Sequence, residues 1–326
     1  MNKIELIGQI ITSTNYATKQ LFNFTPDLVV KGAENFLASG ISKIEVPQGV
    51  LDPENRSSSG CDENSVKMTV AGLPRDTSVV GTYLGNDKLG SDNRAYLESQ
   101  KRSLNFMMEY FPDMSYAMLH PAEREFGRHD DIQKVVETYL ELANYASSQR
   151  PGFQLCFHNH YDSNGETADQ VRTYLAAIDE AGLPAMRWGV DTAQSDGMGK
   201  EHLAVLSEYA HLIGNYFHIK ARIPSFDSEH ENEKYDKERD IWGGLYCGAV
   251  NPADPEITTP FEDIFTLIRK KARPTGGTVY GALEIDNPRQ HPRLEVMCGA
   301  LYLRKRHGVK SSMALSNDEI IDRVFQ

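Results

Sequence analysis

The chain has 326 residues, 40% of them hydrophobic, with 46 acidic against 34 basic side chains and a formal net charge of -12. That is enough apolar material for one large core or two modest ones. The acidic balance is the opposite of what a phosphate-backbone binder presents, which excludes nucleic acid as an expected partner.

The opening MNKIELIGQIITSTNYA holds a short apolar patch broken by Glu5 and Gln9, too short for a signal peptide or a membrane span. Cys61, Cys156, Cys247 and Cys298 form no CxxC pair, which suits free thiols in a reducing compartment. These features describe a soluble cytoplasmic protein with no membrane partner.

In chain order, eight runs read as strands: IELIGQIIT, ISKIEVP, VKMTVAG, SYAMLHP, FQLCFHNH, MRWGVDTAQ, NYFHIKAR and VYGALEID. Most lack polar alternation, as strands buried on both faces of a parallel sheet do. Helical patterns separate them. DLVVKGAENFLASG sets Leu28, Val29, Ala33, Phe36 and Leu37 on one face and stops at Gly40. DDIQKVVETYLELANYA does the same with Ile132, Val135, Val136, Tyr139 and Leu140, and opens on acids that favour a helix N-terminus. ETADQVRTYLAAIDEAG, HLAVLSEYAHLIG and PFEDIFTLIRKK continue the alternation, while QGVLDPENRSSSGCDENS reads as loop.

Strand–helix alternation without a composition break predicts a single-domain (β/α)8 TIM barrel over residues 1–309. PRLEVMCGALYLRKRHG would be its eighth helix, and residues 310–326 a C-terminal extension. A doubly wound sheet is the alternative, weakened by the absence of GxGxxG after the first strand.

In such a barrel the catalytic groups stand at the carboxyl ends of the strands. Those ends offer Glu45, His120, His158 with His160, Asp191, His218 with Lys220, and Glu284. Taken singly, each histidine suits a satisfied core residue and Asp191 a helix cap. Six strand ends carrying such groups together point instead to a clustered site. Histidine and carboxylate without a thiolate pair suit a divalent ion: manganese first, with magnesium, cobalt or zinc as alternatives.

The order FHNH, GVDTAQ, YFHIKA and GALEID resembles the xylose isomerase-like TIM barrels, the sugar phosphate isomerase/epimerase superfamily that also includes endonuclease IV. The resemblance runs from IEVP to the last strand. It implies Asp191, His218 and Glu284 as metal ligands, with His158 fourth where many relatives have glutamate. Gln194 stands where the family motif has histidine, and Ala221 follows Lys220 where aspartate is common.

The implied chemistry is divalent-metal-dependent isomerisation or epimerisation of a keto-sugar or polyol through an enediolate. His160 is expected as base, Lys220 as partner of the developing oxyanion, Glu284 as both ligand and proton carrier, and His120 as a further catalytic or substrate-binding group. The alternative is a lyase or dehydratase similar to inosose dehydratases or to deglycosidases of 3-keto-glycosides. Phosphodiester cleavage of the endonuclease IV kind is opposed by the acidic balance. A homo- or hetero-oligomer is compatible with the sequence. Trp242 and Tyr246, in the long segment after His218, are candidates to close over substrate. Trp188, three residues before Asp191, should face the surrounding helices.

Overall fold

A computed structural model describes residues 1–10, 25–48, 63–161, 163–221, 259–285 and 291–325. Eight strands lie in the sheet order β6-β5-β4-β3-β2-β1-β8-β7. They are β1 (Lys3–Gln9), β2 (Lys43–Pro47), β3 (Ser78–Leu84), β4 (Tyr116–Leu119), β5 (Gln154–Phe157), β6 (Met186–Trp188), β7 (Tyr216–Ile219) and β8 (Thr278–Leu283). The fold is the expected (β/α)8 barrel.

Among the described residues the helices are α1 (Pro26–Ala38), α2 (Glu63–Gly72), α3 (Asn93–Tyr110), α4 (His129–Gln149) and α5 (Ala168–Ala181). They continue with α6 (His202–Tyr209), α7 (Phe261–Lys271), α8 (Pro292–His307) and α9 (Asn317–Phe325). No described helix is long and apolar enough to cross a membrane.

By packing the chain falls into two units, the divisions cutting β1, β3, β7 and β8. The first comprises Met1–Lys3, Val80–Phe217 and Phe261–Tyr280; the second comprises Ile4–Val79, His218–Pro260 and Gly281–Gln326.

In the first unit β3, β4, β5 and β6 pair in parallel, with Leu84 opposite Leu119, Leu119 opposite Phe157, and Phe157 opposite Trp188. This register puts His120, His158 and Gly189 one step past the last paired residues. The ladder continues there, because His158 N–H donates to Leu119 O at 3.0 Å and Gly189 N–H to Phe157 O at 2.7 Å. Trp188 also bridges Ile213 in parallel, just ahead of β7. The Tyr116 and Tyr216 rings stack at 4.5 Å between centroids, and both are fully buried.

Helix signals in the sequence are realised locally. Thr167 and Gln170 form a reciprocal capping box at the start of α5, and Gly182 closes it at φ 60°. Asp92 caps α3 by accepting from Ala95 N–H at 3.0 Å.

In the second unit β1 pairs with β2, Gly8 opposite Ile44 and Gln9 opposite Glu45. The Phe36 ring of α1 covers Gly8, where a Cβ would collide with it. After α8 closes at Gly308, Lys310–Ser311 forms a short strand β9 that pairs with β1. Helix α9 then packs Ile320 and Val324 against Ala38 and Met297.

One expected strand is a helix. VKMTVAG lies in α2, where Val66 and Thr69, three apart, are buried, while Met68 and Val70 are 58% and 38% exposed. A strand would have placed Val66, Met68 and Val70 on one face. The third strand is instead SVVGTYL, Ser78–Leu84. Its Gly81 hides the strand signal, yet the sheet needs it, because any Cβ there would collide with the Tyr116 ring.

Candidate metal and acid–base site

Each unit carries a cluster of the expected groups. In the first, His158 follows β5 directly and is 1% exposed. Its Nδ1 lies 3.0 Å from Gly189 O. A carbonyl only accepts, so Nδ1 bears the proton and the neutral ring presents its lone pair at Nε2. That nitrogen stands 3.5 Å from Asp191 Oδ2, with Asp191 wholly buried. A lone pair facing a carboxylate oxygen is the arrangement that a cation, or a proton on Nε2, resolves. The donor set therefore fits a divalent ion.

His160, half-buried, points its Nδ1 at Tyr161 O, 2.6 Å away. The same reasoning leaves Nε2 as the basic nitrogen of the neutral ring. His120, at the end of β4, sets its Nδ1 3.1 Å from Pro121 O. The His120 and His160 rings lie 4.3 Å apart between centroids, and His160 is 6.0 Å from the His158 ring. Tyr139 of α4 holds the His120 backbone by donating its O–H to the carbonyl at 2.7 Å. Burial pushes the Tyr139 phenol well above its usual range, so it stays a donor.

Two residues of this cluster were not anticipated. Asn159, between the two histidines, is buried, and its Oδ1 accepts from Trp188 Nε1–H and from Asp191 N–H, each at 3.2 Å. Its Nδ2 donates to Ser195 Oγ at 3.3 Å and reaches Asp191 O at 3.5 Å. Asp191 Oδ1 accepts from Ala193 N–H at 2.8 Å. The available signal was an amide inside an apolar run, which must bond on whichever side it faces. Trp188 is fully buried, and its indole N–H is what meets Asn159.

The second unanticipated residue is His202, the first residue of α6, 6% exposed. Among the described residues its Nε2 has no hydrogen-bond partner. Burial lowers its pKa to about 4, against a smaller raising effect of the Asp191 charge. It is neutral near pH 7.

The second unit brings together Glu45 of β2, which pairs with Gln9 of β1, His218 in β7, Lys220 just past it and Glu284 just past β8. All four are buried. His218 Nε2 lies 3.0 Å from Glu45 Oε1, and His218 Nδ1 lies 2.6 Å from Glu284 Oε2. Lys220 Nζ sits 2.9 Å from the same Glu284 oxygen. Glu284 N–H donates to Ile219 O at 3.3 Å, which carries the strand pairing up to the site. Two carboxylates against one ammonium leave this cluster a negative charge when the imidazole is neutral, a setting that favours a cation.

His129 opens α4 with its side chain exposed. Gln194 begins a 3-10 turn, Gln194–Glu201, and Ala221 is buried. Trp242, Tyr246, Cys61 and Cys247 lie outside the described residues. Cys156 and Cys298 are free thiols.

No protein-family model matches the chain, and no curated protein sequence matches it. Solved structures do. A probable 3-DHS dehydratase AsbF from Bacillus anthracis aligns over 94% of this chain and 100% of its own, at 14% identity and a TM-score of 0.60. A sugar phosphate isomerase/epimerase from Parabacteroides distasonis aligns over 95% and 96%, at 13% identity and TM-score 0.61. The IOLI protein, solved with a bound zinc atom, aligns over 95% and 100%, at 12% identity and TM-score 0.61. The chain shares the fold of these xylose isomerase-like barrels. At such identities the likeness is one of fold, and chemistry must be argued from this chain's own residues.

Proposed function

We propose that the chain is a divalent-metal-dependent carbohydrate enzyme that interconverts keto-sugars or polyols by moving a proton at the carbon next to a carbonyl. The observation that carries this reading is the His158–Asp191 contact, a ring nitrogen set 3.5 Å from a buried carboxylate oxygen. His158, Asp191 and His218, all buried, are residue types suited to one ion, and Glu284 is the fourth ligand. Manganese leads, with zinc, cobalt or magnesium as alternatives.

When bound, a divalent ion supplies Lewis-acid polarisation of a substrate carbonyl and its vicinal hydroxyl. The remaining work falls to side chains. His160, with its proton fixed on Nδ1 by Tyr161 O, offers Nε2 as base for the α-proton. His120, 4.3 Å away between centroids, returns or relays that proton. Lys220, buried beside Glu284, offsets negative charge developing on the substrate oxygen. Reprotonation at the adjacent carbon is isomerisation; at the same carbon from the other face it is epimerisation.

A second reading is elimination, favoured by the paired imidazoles and by the dehydratase among the structural neighbours. One ring removes the α-proton while the other protonates a departing β-hydroxyl or aglycone. A panel of free ketoses, inososes and 3-keto-glycosides, incubated with Mn²⁺ in D₂O, tests both readings. Deuterium at the α-carbon with an intact skeleton supports isomerisation, and loss of water or aglycone supports elimination. Absence of exchange and of water or aglycone loss with every member of the panel contradicts both.

A further inference from the structure

Glu45 is a buried carboxylate for which the four-ligand site has no use as a ligand. It lies within β2 with its backbone fixed, since it pairs with Gln9 of β1 and its carbonyl accepts from Ile10 N–H at 3.2 Å. Its Oε1 lies 3.0 Å from His218 Nε2, while Glu284 Oε2 lies 2.6 Å from the other ring nitrogen, Nδ1. The two nitrogens of one imidazole are thus divided between a β2 carboxylate and the β8 carboxylate expected to ligate.

We infer that Glu45 is a positioning residue that accepts the Nε2 proton of His218 and thereby presents Nδ1, beside Glu284, as the metal-binding nitrogen. The inference rests on the metal reading above. A neutral imidazole carries one N–H, and a full carboxylate is a stronger acceptor for it than a carbonyl or water. Held at Nε2, that carboxylate raises the electron density at Nδ1 and fixes the ring plane, as carboxylate–histidine–metal arrangements do. A purely stabilising role is a poor explanation. A buried carboxylate loses its hydration, which one hydrogen bond from a neutral imidazole does not fully offset, so such a pair rarely adds net stability. His158 is served differently, with a backbone carbonyl at its Nδ1. The two histidines therefore bind through opposite nitrogens: Nε2 for His158 and Nδ1 for His218.

The test uses zinc, which is diamagnetic, on the full metal-free chain. Long-range ¹H–¹⁵N correlation of the zinc-loaded wild type should show His218 protonated at Nε2 and metal-shifted at Nδ1. Calorimetric titration should show Glu45→Gln binding zinc about 10- to 100-fold more weakly. The amide is close in shape and still accepts a hydrogen bond, so the metal-free variant should keep its thermal midpoint. Unchanged zinc affinity in Glu45→Gln, or zinc on Nε2 of His218, overturns the inference while leaving the metal site intact. If the variant does not fold, the nitrogen assignment in the wild type decides alone. If the wild type binds no zinc, the metal reading itself fails and takes the inference with it.

Discussion

Asn159 holds the backbone of Asp191 from both ends, accepting its N–H at 3.2 Å and reaching its carbonyl at 3.5 Å. The residue between two histidines thus aims the carboxylate that one of them faces. Asn159→Ala removes the acceptor for two buried donors, Asp191 N–H and the Trp188 indole N–H. The expected cost is roughly 2–4 kcal/mol of stability, measured by urea denaturation of metal-free protein. Mn²⁺ affinity should fall as well. A loss below about 0.5 kcal/mol, within the range of inert surface changes, would show that the amide does not restrain Asp191.

The two histidines flanking it should separate by function. His158→Ala should weaken Mn²⁺ binding by at least about tenfold, one lost ligand being worth 1.4 kcal/mol or more. His160→Ala should keep the ion and lower turnover about 10²- to 10⁴-fold. Calorimetry with Mn²⁺ beside a proton-exchange assay distinguishes the two, and equal metal affinity in both variants would remove the split.

His202 makes a pH prediction that does not involve turnover. Its pKa falls from 6.5 to about 4 on folding because burial opposes the charged ring. Between those values the unfolded chain binds more protons than the native one, so stability is full above pH 6.5 and declines as pH falls toward 4. From pH 7 to pH 5 this group alone removes on the order of 2 kcal/mol. His202→Gln should flatten that part of the stability–pH curve. Parallel curves for the two proteins would rule out His202 as the source.

Gly81 gives a test of the barrel interior. Its position under the Tyr116 ring means that Gly81→Ala forces a ring or a strand to move. Overpacking of this kind costs about 1–3 kcal/mol. Thermal denaturation should show a clear drop, and an unchanged midpoint would mean that the ring has room to shift.

Much of this was legible from residue type and order. FHNH, GVDTAQ, YFHIKA and GALEID place His158, Asp191, His218 with Lys220, and Glu284 at or just past β5 to β8, because apolar runs and their polar ends carry a strand's direction in one dimension. VKMTVAG misled because apolar residues at alternate positions also occur on a short, half-exposed helix. SVVGTYL was overlooked because Gly81 weakens the local strand signal for the sake of a ring on the next strand. Asn159 escaped because selecting titratable groups at strand ends passes over an amide that acts through another residue's backbone. Glu45 was read as a strand-end residue and lies instead in the middle of β2, and its pairing with His218 depends on bringing β2 and β7 residues together, which no local pattern encodes.

His158, Asp191, His218 and Glu284 are the ligands proposed for the divalent ion. Calorimetric titration of metal-free wild type and Asp191→Asn with Mn²⁺ tests that assignment most directly. Saturable binding of one ion per chain is expected in the wild type, and affinity at least about 100-fold weaker in the variant, equivalent to about 2.7 kcal/mol or more. Absence of saturable binding in the wild type, or equal affinity in the two proteins, would contradict it.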